Sequence, residues 1–195
     1  AYGLGYIGLS LVQQGSFKGI DWSMFNWIFL STFLTLLANP LIPLLERLFG
    51  FTSSVALTEL SDLNRPLLQE LAIKAPGTLQ HSLQVANLAE AAARRIGANH
   101  LLVRVAALYH DIGKTVQPEY FIENQGDTNL HNQLPFRESA RVIINHVPQG
   151  VEIARQYRLP KVLIDFIRTH HGTTLVEYFY RKEKDANPDE IVEKK

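Results

Sequence analysis

No cysteine occurs in the 195 residues, and methionine occurs once, at Met24. The first absence excludes disulfide frameworks and thiolate metal sites. Any transition-metal site must use His, Asp and Glu, donors that suit iron, manganese or zinc. Net charge is absent too: 19 Lys and Arg balance 19 Asp and Glu, and the pI is near 7.3. That balance gives no electrostatic basis for gripping long nucleic acid. A small nucleotide stays open as a partner, because a metal supplies positive charge locally.

Charge is also missing along one stretch. From Asp21 to Glu46 no intervening residue is charged, and the run is rich in Trp, Phe, Leu and Ile. It exceeds the roughly 20 residues that cross a bilayer's hydrocarbon core as a helix. Trp22 and Trp27 stand near its start, where aromatic rings favour the membrane–water boundary. Pro40 and Pro43 lie near its far end and are expected to kink it or mark its exit. A buried helix of a soluble protein is the competing reading. Residues 1–15 are also uncharged and read as the tail of a preceding span. Lys18 and Asp21 balance on one side, Glu46 and Arg47 on the other, so the positive-inside rule decides little. Leu41 to Phe51 is expected to lie along the interface as a connector. Residues 1–50 are thus expected to be transmembrane segments with a juxtamembrane connector, in contact with membrane lipid. Residues 51–195 are expected to form a soluble domain. The chain starts at Ala1 rather than methionine, so we expect a fragment of a longer polypeptide.

From about Ser61 onward charges are evenly spread, and no stretch alternates as a β-strand. Apolar residues recur at helical spacing through Leu83–Ile96, Leu101–Leu108, Val142–Val147 and Val162–Ile167. Asn99 suits a helix cap, Pro135 and Pro160 suit first turns, and Gly97, Gly113, Gly150 and Gly172 suit helix ends. The fold class expected is all-α, a helical bundle preceded by one or more membrane helices. With 46% hydrophobic residues, the chain can bury a substantial core.

Five histidines and one aspartate form a pattern on this frame. His81 lies near the start of a helix, His110-Asp111 ends another, His146 ends a third and His170-His171 end a fourth. Each gap holds a helix with its connections, so four helices can bring ligands to one point. Neutral imidazole offers a lone pair to a metal. A carboxylate has two oxygens and can bridge two metals, and Asp111 is the candidate for that bridge. Two such metals would hold the attacking and leaving oxygens of a phosphoryl group and lower the pKa of a bound water. Lys114 is a point charge suited to a nonbridging phosphate oxygen. Taken alone, each residue has a plainer reading: His81 as a helix-dipole partner, His110-Asp111 as a helix end, His170-His171 as a solvated corner. The apolar run Val105-Ala106-Ala107-Leu108-Tyr109 argues that His110-Asp111 ends a buried helix, and a buried His–Asp pair needs partners. His100 reads as a first-turn surface residue. His131 reads as a loop residue or a group outside the ligand set. Tyr120 and Phe121 suit base stacking but read first as core.

His81, His110-Asp111, Gly113-Lys114, His146 and His170-His171 resemble the HD-domain phosphohydrolase superfamily. The longer run adds Pro76-Gly77-Thr78, His81-Ser82, Val85-Ala86-Asn87-Leu88-Ala89-Glu90, Phe121-Ile122-Glu123-Asn124-Gln125 and His170-His171-Gly172-Thr173-Thr174. It resembles the membrane-bound branch with seven transmembrane helices, the PgpH type. That resemblance implies an HD domain over 51–195 that hydrolyses cyclic di-AMP to pApA, with a di-iron or di-manganese centre. It implies His81, His110 and Asp111 on one metal, and Asp111, His146, His170 and His171 on the other. It also implies a multi-pass protein of the bacterial inner or cell membrane, its HD domain facing the cytoplasm. The family has a further aspartate ligand downstream of the paired histidines. Neither Asp185 nor Asp189 is assigned to it, so the fragment stops short of that ligand or one site is incomplete. The family's large extracytoplasmic domain has no counterpart here, which fits an N-terminal truncation. Two alternatives stay open: another HD-type nucleotide phosphohydrolase, and a membrane-tethered nucleotide sensor with impaired catalysis.

Overall fold

The computed structural model describes residues 2–15 and 21–187. Lys18, Asp189 and the run from Glu190 to Lys195, all used in reading the sequence, lie outside the described residues, as does the Arg47 side chain. Within the described residues every regular element is helical, as the pattern predicts. The chain divides into two compact units, Ala1–Phe51 and Thr52–Lys195.

The first unit holds α1 (Tyr2–Gln14) and α2 (Ser23–Phe49). Tyr6 sets its ring edge-on to Phe25, with centroids 5.8 Å apart. Apolar side chains crowd the outside of α2: Phe29 is 73% exposed and Leu36 64%. Among the described residues no single helix is long and apolar enough to cross a membrane. Ser23–Ala38 and Pro40–Glu46 pass that test together and meet at a bend of 41°. Proline causes such a bend because its ring blocks the backbone bond one turn back. The hydroxyls of Ser31, Thr32 and Thr35 do not face outward for partners. They donate to their own helix, at the carbonyls of Ile28, Ile28 and Ser31. The segment from Leu41 continues α2 to Phe49 and ends at Gly50, whose φ of +67° turns the chain.

The second unit is built round α6 (His100–Tyr109). Val105 to Tyr109 are all buried, as their unbroken apolar run predicts. Around it lie α3 (Ser54–Leu60), α4 (Pro66–Lys74), α5 (Pro76–Arg95), α7 (Phe136–Gln156), α8 (Lys161–Thr169) and α9 (Glu177–Ala186). The core joins Leu57, Leu68 and Leu71 to Val105 and Leu108, and these to Ile112, Val151, Leu163 and Ile167. Each such leucine contributes roughly 2 kcal/mol through burial. The Tyr109 hydroxyl reaches across and donates to the Leu60 carbonyl at 2.9 Å.

Sequence punctuation is partly confirmed. The Asn99 side chain caps α6 by accepting from the Leu102 amide at 3.0 Å. Gly97 and Gly172 follow helix ends with positive φ. Pro135 and Pro160 stand one residue earlier than expected, at the N-caps of α7 and α8. The expectation that His146 ends its helix is overturned, and with it Gly150 as a terminator. Pro148 lies inside α7, which runs on to Gln156. The Pro-Gln-Gly cluster resembles a breaker, but close packing of Gly150 and the His146 carbonyl against Gly113 holds the helix together.

Candidate metal centre

Four helices of the second unit deliver the ligands. His110, His146 and His170 each turn Nδ1 to a carbonyl three residues back in their own helices, Ala107, Ile143 and Ile167. A carbonyl only accepts, so Nδ1 carries the hydrogen and Nε2 keeps its lone pair. Those lone pairs converge. His146 Nε2 lies 3.3 Å from Nε2 of His170 and 3.3 Å from Nε2 of His171. Asp111 Oδ1 stands 3.3 Å from His146 Nε2 and 3.4 Å from His170 Nε2. This oxygen is buried and accepts no hydrogen bond. The facing donor atoms of Asp111, His146, His170 and His171 all lie within 4.8 Å of one another.

A second group forms on the other oxygen. Asp111 Oδ2 is 3.0 Å from His110 Nε2, and His81 completes a set of three donors with them. Lone pairs held this close repel unless positive charge sits among them. The residues therefore fit a cation, and they fit it in two overlapping positions that share Asp111.

The electrostatics agree. Burial opposes the charge on Asp111, yet the rings of His110, His146 and His170 gathered round it outweigh burial and hold the carboxyl far below its usual range. Burial likewise opposes an imidazolium at His110, and the adjoining Asp111 reverses that, so its pKa is raised. His171 is pushed down to about 4, first by desolvation and then by His170 and His146 facing it. A neutral His171 is ready to act as a ligand at neutral pH.

Lys114 enters the same site. Its Nζ lies 2.9 Å from Asp111 Oδ2 and 2.8 Å from Glu123 Oε1. Burial lowers its pKa, but the charge of Asp111 and the Glu123 bond win, and the net shift is upward. Lys114 stays cationic. Glu123 is tied in turn to the Thr78 hydroxyl at 3.0 Å, and Asn124 accepts from the Thr78 amide at 3.1 Å.

Two glycines make the arrangement possible. A Cβ on Gly113 would lie 1.8 Å from the His146 carbonyl oxygen, and one on Gly77 would lie 1.8 Å from the Glu123 carbonyl oxygen. Gly113 lets the turn Ile112–Val116 press onto α7, which sets Asp111 against His146. Gly77 lets α5 press onto the turn that carries Glu123.

All six expected ligands, His81, His110, Asp111, His146, His170 and His171, thus fall into these two groups. His100 does not: it opens α6 with Nδ1 3.4 Å from Glu90. His131 is buried outside the cluster, with Nε2 2.8 Å from the Tyr120 carbonyl. Asp185 is exposed on α9 and joins neither group. Reading the sequence assigned no role to Glu123. Its signal was weak, because a carboxylate in a turn looks like any solvated residue.

A model of the HD domain family matches residues 78–193. The chain belongs to the HD-domain family. Among its relatives, this HD chain is 50% identical over 155 residues to the cyclic-di-AMP phosphodiesterase PgpH of Listeria monocytogenes, covering 79% of this chain and 22% of that protein. It is 42% identical over 190 residues to PgpH of Bacillus subtilis, covering 96% of this chain and 27% of that one. The chain therefore spans about a quarter of these relatives' length. The HD unit also resembles the crystal structure of the Listeria monocytogenes PgpH HD domain in complex with cyclic di-AMP. The TM-score is 0.63 at 52% identity, over 67% of this chain and 59% of that one. HD membership and the His/Asp donor set together make this a divalent-metal site.

Proposed function

We propose that this chain is the HD unit of a membrane-anchored phosphodiesterase that hydrolyses cyclic di-AMP to linear pApA. The observation that carries the reading is the shared carboxylate. Asp111 turns one oxygen to His146 and His170 and the other to His110. The half-identity to a cyclic-di-AMP phosphodiesterase supplies the substrate class.

Two divalent ions, manganese or iron, suit these donors. His81, His110 and Asp111 would hold one; Asp111, His146, His170 and His171 would hold the other. Bound there, such ions supply hydroxide near neutral pH and neutralise charge on a phosphoryl group. The chain's own residues do the rest. The carbonyl bonds at Nδ1 hold His110, His146 and His170 in orientation and tautomer. Lys114, cationic and anchored by Glu123, meets a nonbridging phosphate oxygen as charge builds there.

The anchor is the bent pair within α2. Its self-bonded hydroxyls and outward apolar side chains suit a medium that offers no hydrogen bonds. We place the HD unit on the cytoplasmic side of a bacterial cell membrane, where cyclic dinucleotides are met. The full chain is expected in the membrane fraction and resistant to alkaline extraction; release by alkali would remove the anchor from this reading.

Turnover of cyclic di-AMP, cyclic di-GMP and dGTP, measured with metal analysis of the same preparation, tests the activity. The expected result is cleavage of cyclic di-AMP to pApA with two metal equivalents. Turnover of dGTP alone would mark a different HD phosphohydrolase. No turnover with at most one equivalent would mark a nucleotide sensor or a truncated enzyme, and restoring the sequence downstream of Lys195 would separate those two.

A further inference from the structure

Two stretches singled out in the sequence, Pro76-Gly77-Thr78 and Phe121–Gln125, supply none of the six metal ligands. The fold brings them together all the same. Thr78 is fully buried in the first turn of α5. It meets Glu123 and Asn124, 45 and 46 residues further along the chain.

The start of α5 explains why. Pro76 has no N–H, and Ala75 at the N-cap offers the first-turn amides no side chain. Asn124 fills that role from a distance: its Oδ1 accepts from the Thr78 amide at 3.1 Å. Its Nδ2 donates to the Thr78 hydroxyl at 2.8 Å. The clasp is reciprocal, and it fixes which way round the Asn124 amide lies. Gly77 permits the approach, since a Cβ there would lie 2.9 Å from Asn124 Oδ1.

The clasp points onward to the metal centre. While Thr78 Oγ1 accepts from Asn124, its own hydrogen goes to Glu123 Oε1, 3.0 Å away. That same Glu123 oxygen accepts from Lys114 Nζ at 2.8 Å. The Asn124 amide closes the turn on the Phe121 carbonyl at 2.8 Å, and Lys114 Nζ stands 4.9 Å from the Phe121 ring centroid. A lysine carries its charge on a flexible four-carbon stem. Asp111 alone would leave that stem free to swing about one contact. Glu123 gives the ammonium a second fixed point, and Thr78 fixes Glu123 in turn.

We propose that Thr78 and Asn124 are positioning residues, which aim Glu123 and, through it, hold Lys114 ready for the phosphoryl group. Neither belongs to the metal-binding groups, so both act through another side chain. The proposal rests on the phosphodiesterase reading above and extends its account of Lys114 to residues that reading leaves without a part.

The test compares the full chain with Thr78→Val, Thr78→Ser and Asn124→Ala. One readout needs no turnover: the rate at which formaldehyde and cyanoborohydride methylate the Lys114 amine, followed by peptide mass spectrometry. Thr78→Val and Asn124→Ala should speed that reaction several-fold, and Thr78→Ser, which keeps the hydroxyl, should not. Leu57→Ala, weakened in the core instead, should leave Lys114 as slow as in wild type. With manganese loaded, Thr78→Val and Asn124→Ala should lower kcat for cyclic di-AMP roughly ten- to hundred-fold. KM and metal content should stay unchanged, as for a contact made only in the transition state, and Thr78→Ser should restore kcat. Unchanged Lys114 reactivity in Thr78→Val would overturn the clasp. Equal acceleration in Leu57→Ala would overturn it too, because lost stability alone would then free the amine. No recovery in Thr78→Ser would overturn the role given to the hydroxyl. The two readings fail separately. Wild-type turnover with Lys114 undisturbed in Thr78→Val defeats the clasp alone. Release of Lys114 without any wild-type turnover defeats the phosphodiesterase alone.

Discussion

Helices α2 and α6 are both strongly apolar, yet they meet opposite surroundings. In α2, Phe29, Leu36 and Leu48 are 73%, 64% and 72% exposed; in α6, Val105 and Leu108 are fully enclosed. Hydrophobicity alone does not say where a helix goes. What separates the two is the treatment of polar groups. Hydroxyls on α2 fold back onto their own backbone. On α6, Arg104 reaches out to Glu90 at 2.9 Å, and the polar end, His110-Asp111, is turned inward. One helix is suited to a medium without hydrogen bonds. The other gives up water at one end in order to place a carboxylate.

The strongest way to break that contrast is to remove the inward carboxylate. Asp111→Ala should abolish the proposed cyclic di-AMP turnover, a loss larger than the roughly hundred-fold typical of changes outside the ligand set. Bound metal should fall with it, as read by elemental analysis. Retention of metal and turnover would end the claim that α6 exists to carry Asp111 inward.

Next in size is Gly113→Ala. Its Cβ would lie 1.8 Å from the His146 carbonyl oxygen, so α7 must retreat from the turn that holds Asp111. We expect a loss of about 3 kcal/mol in urea unfolding together with weaker metal binding. Gly97→Ala makes the control. Gly97 has open space around it and a φ of +71°, so it should cost only about 1 kcal/mol and leave metal untouched.

The packing side of the contrast is sharpened by a pair of truncations. Leu108→Ala should lower the stability of the HD unit by about 2 to 3 kcal/mol. Leu36→Ala should leave that same transition within about 0.5 kcal/mol. Equal effects would mean that both helices belong to one core.

The smallest effect is expected at the surface. Lys74 and the Tyr157 hydroxyl both bond Glu70, at 2.6 and 2.7 Å, and in that order they hold its pKa below the ordinary value. A lowered carboxyl stabilises the fold above its usual pKa, and the benefit fades as pH falls through the folded value. Tyr157→Phe should therefore be slightly less stable than wild type at neutral pH, and the gap should close in acid. A gap that widens in acid would reverse the sign.

How much of this was legible beforehand differs by interaction range. The helices at Leu83–Ile96 and Leu101–Leu108 announce themselves by periodicity, and Asn99 by its capping chemistry, because both are local. The ligands were legible through residue type and through gaps that each hold one helix. The course of α7 past Pro148 was not, because contact with Gly113, far away in sequence, sustains it. Glu123 was missed for a similar reason. Its partners Lys114 and Thr78 become neighbours only after folding, and nothing in their spacing signals it.

The bonds from His110, His146 and His170 to carbonyls three residues back have a consequence for metal loading. Each ring is aimed by its own helix rather than by its neighbours. Loading a cation therefore asks for no turning of these three rings, only for helices already docked to hold them in range, as the ribs of an umbrella are set before the cloth is stretched.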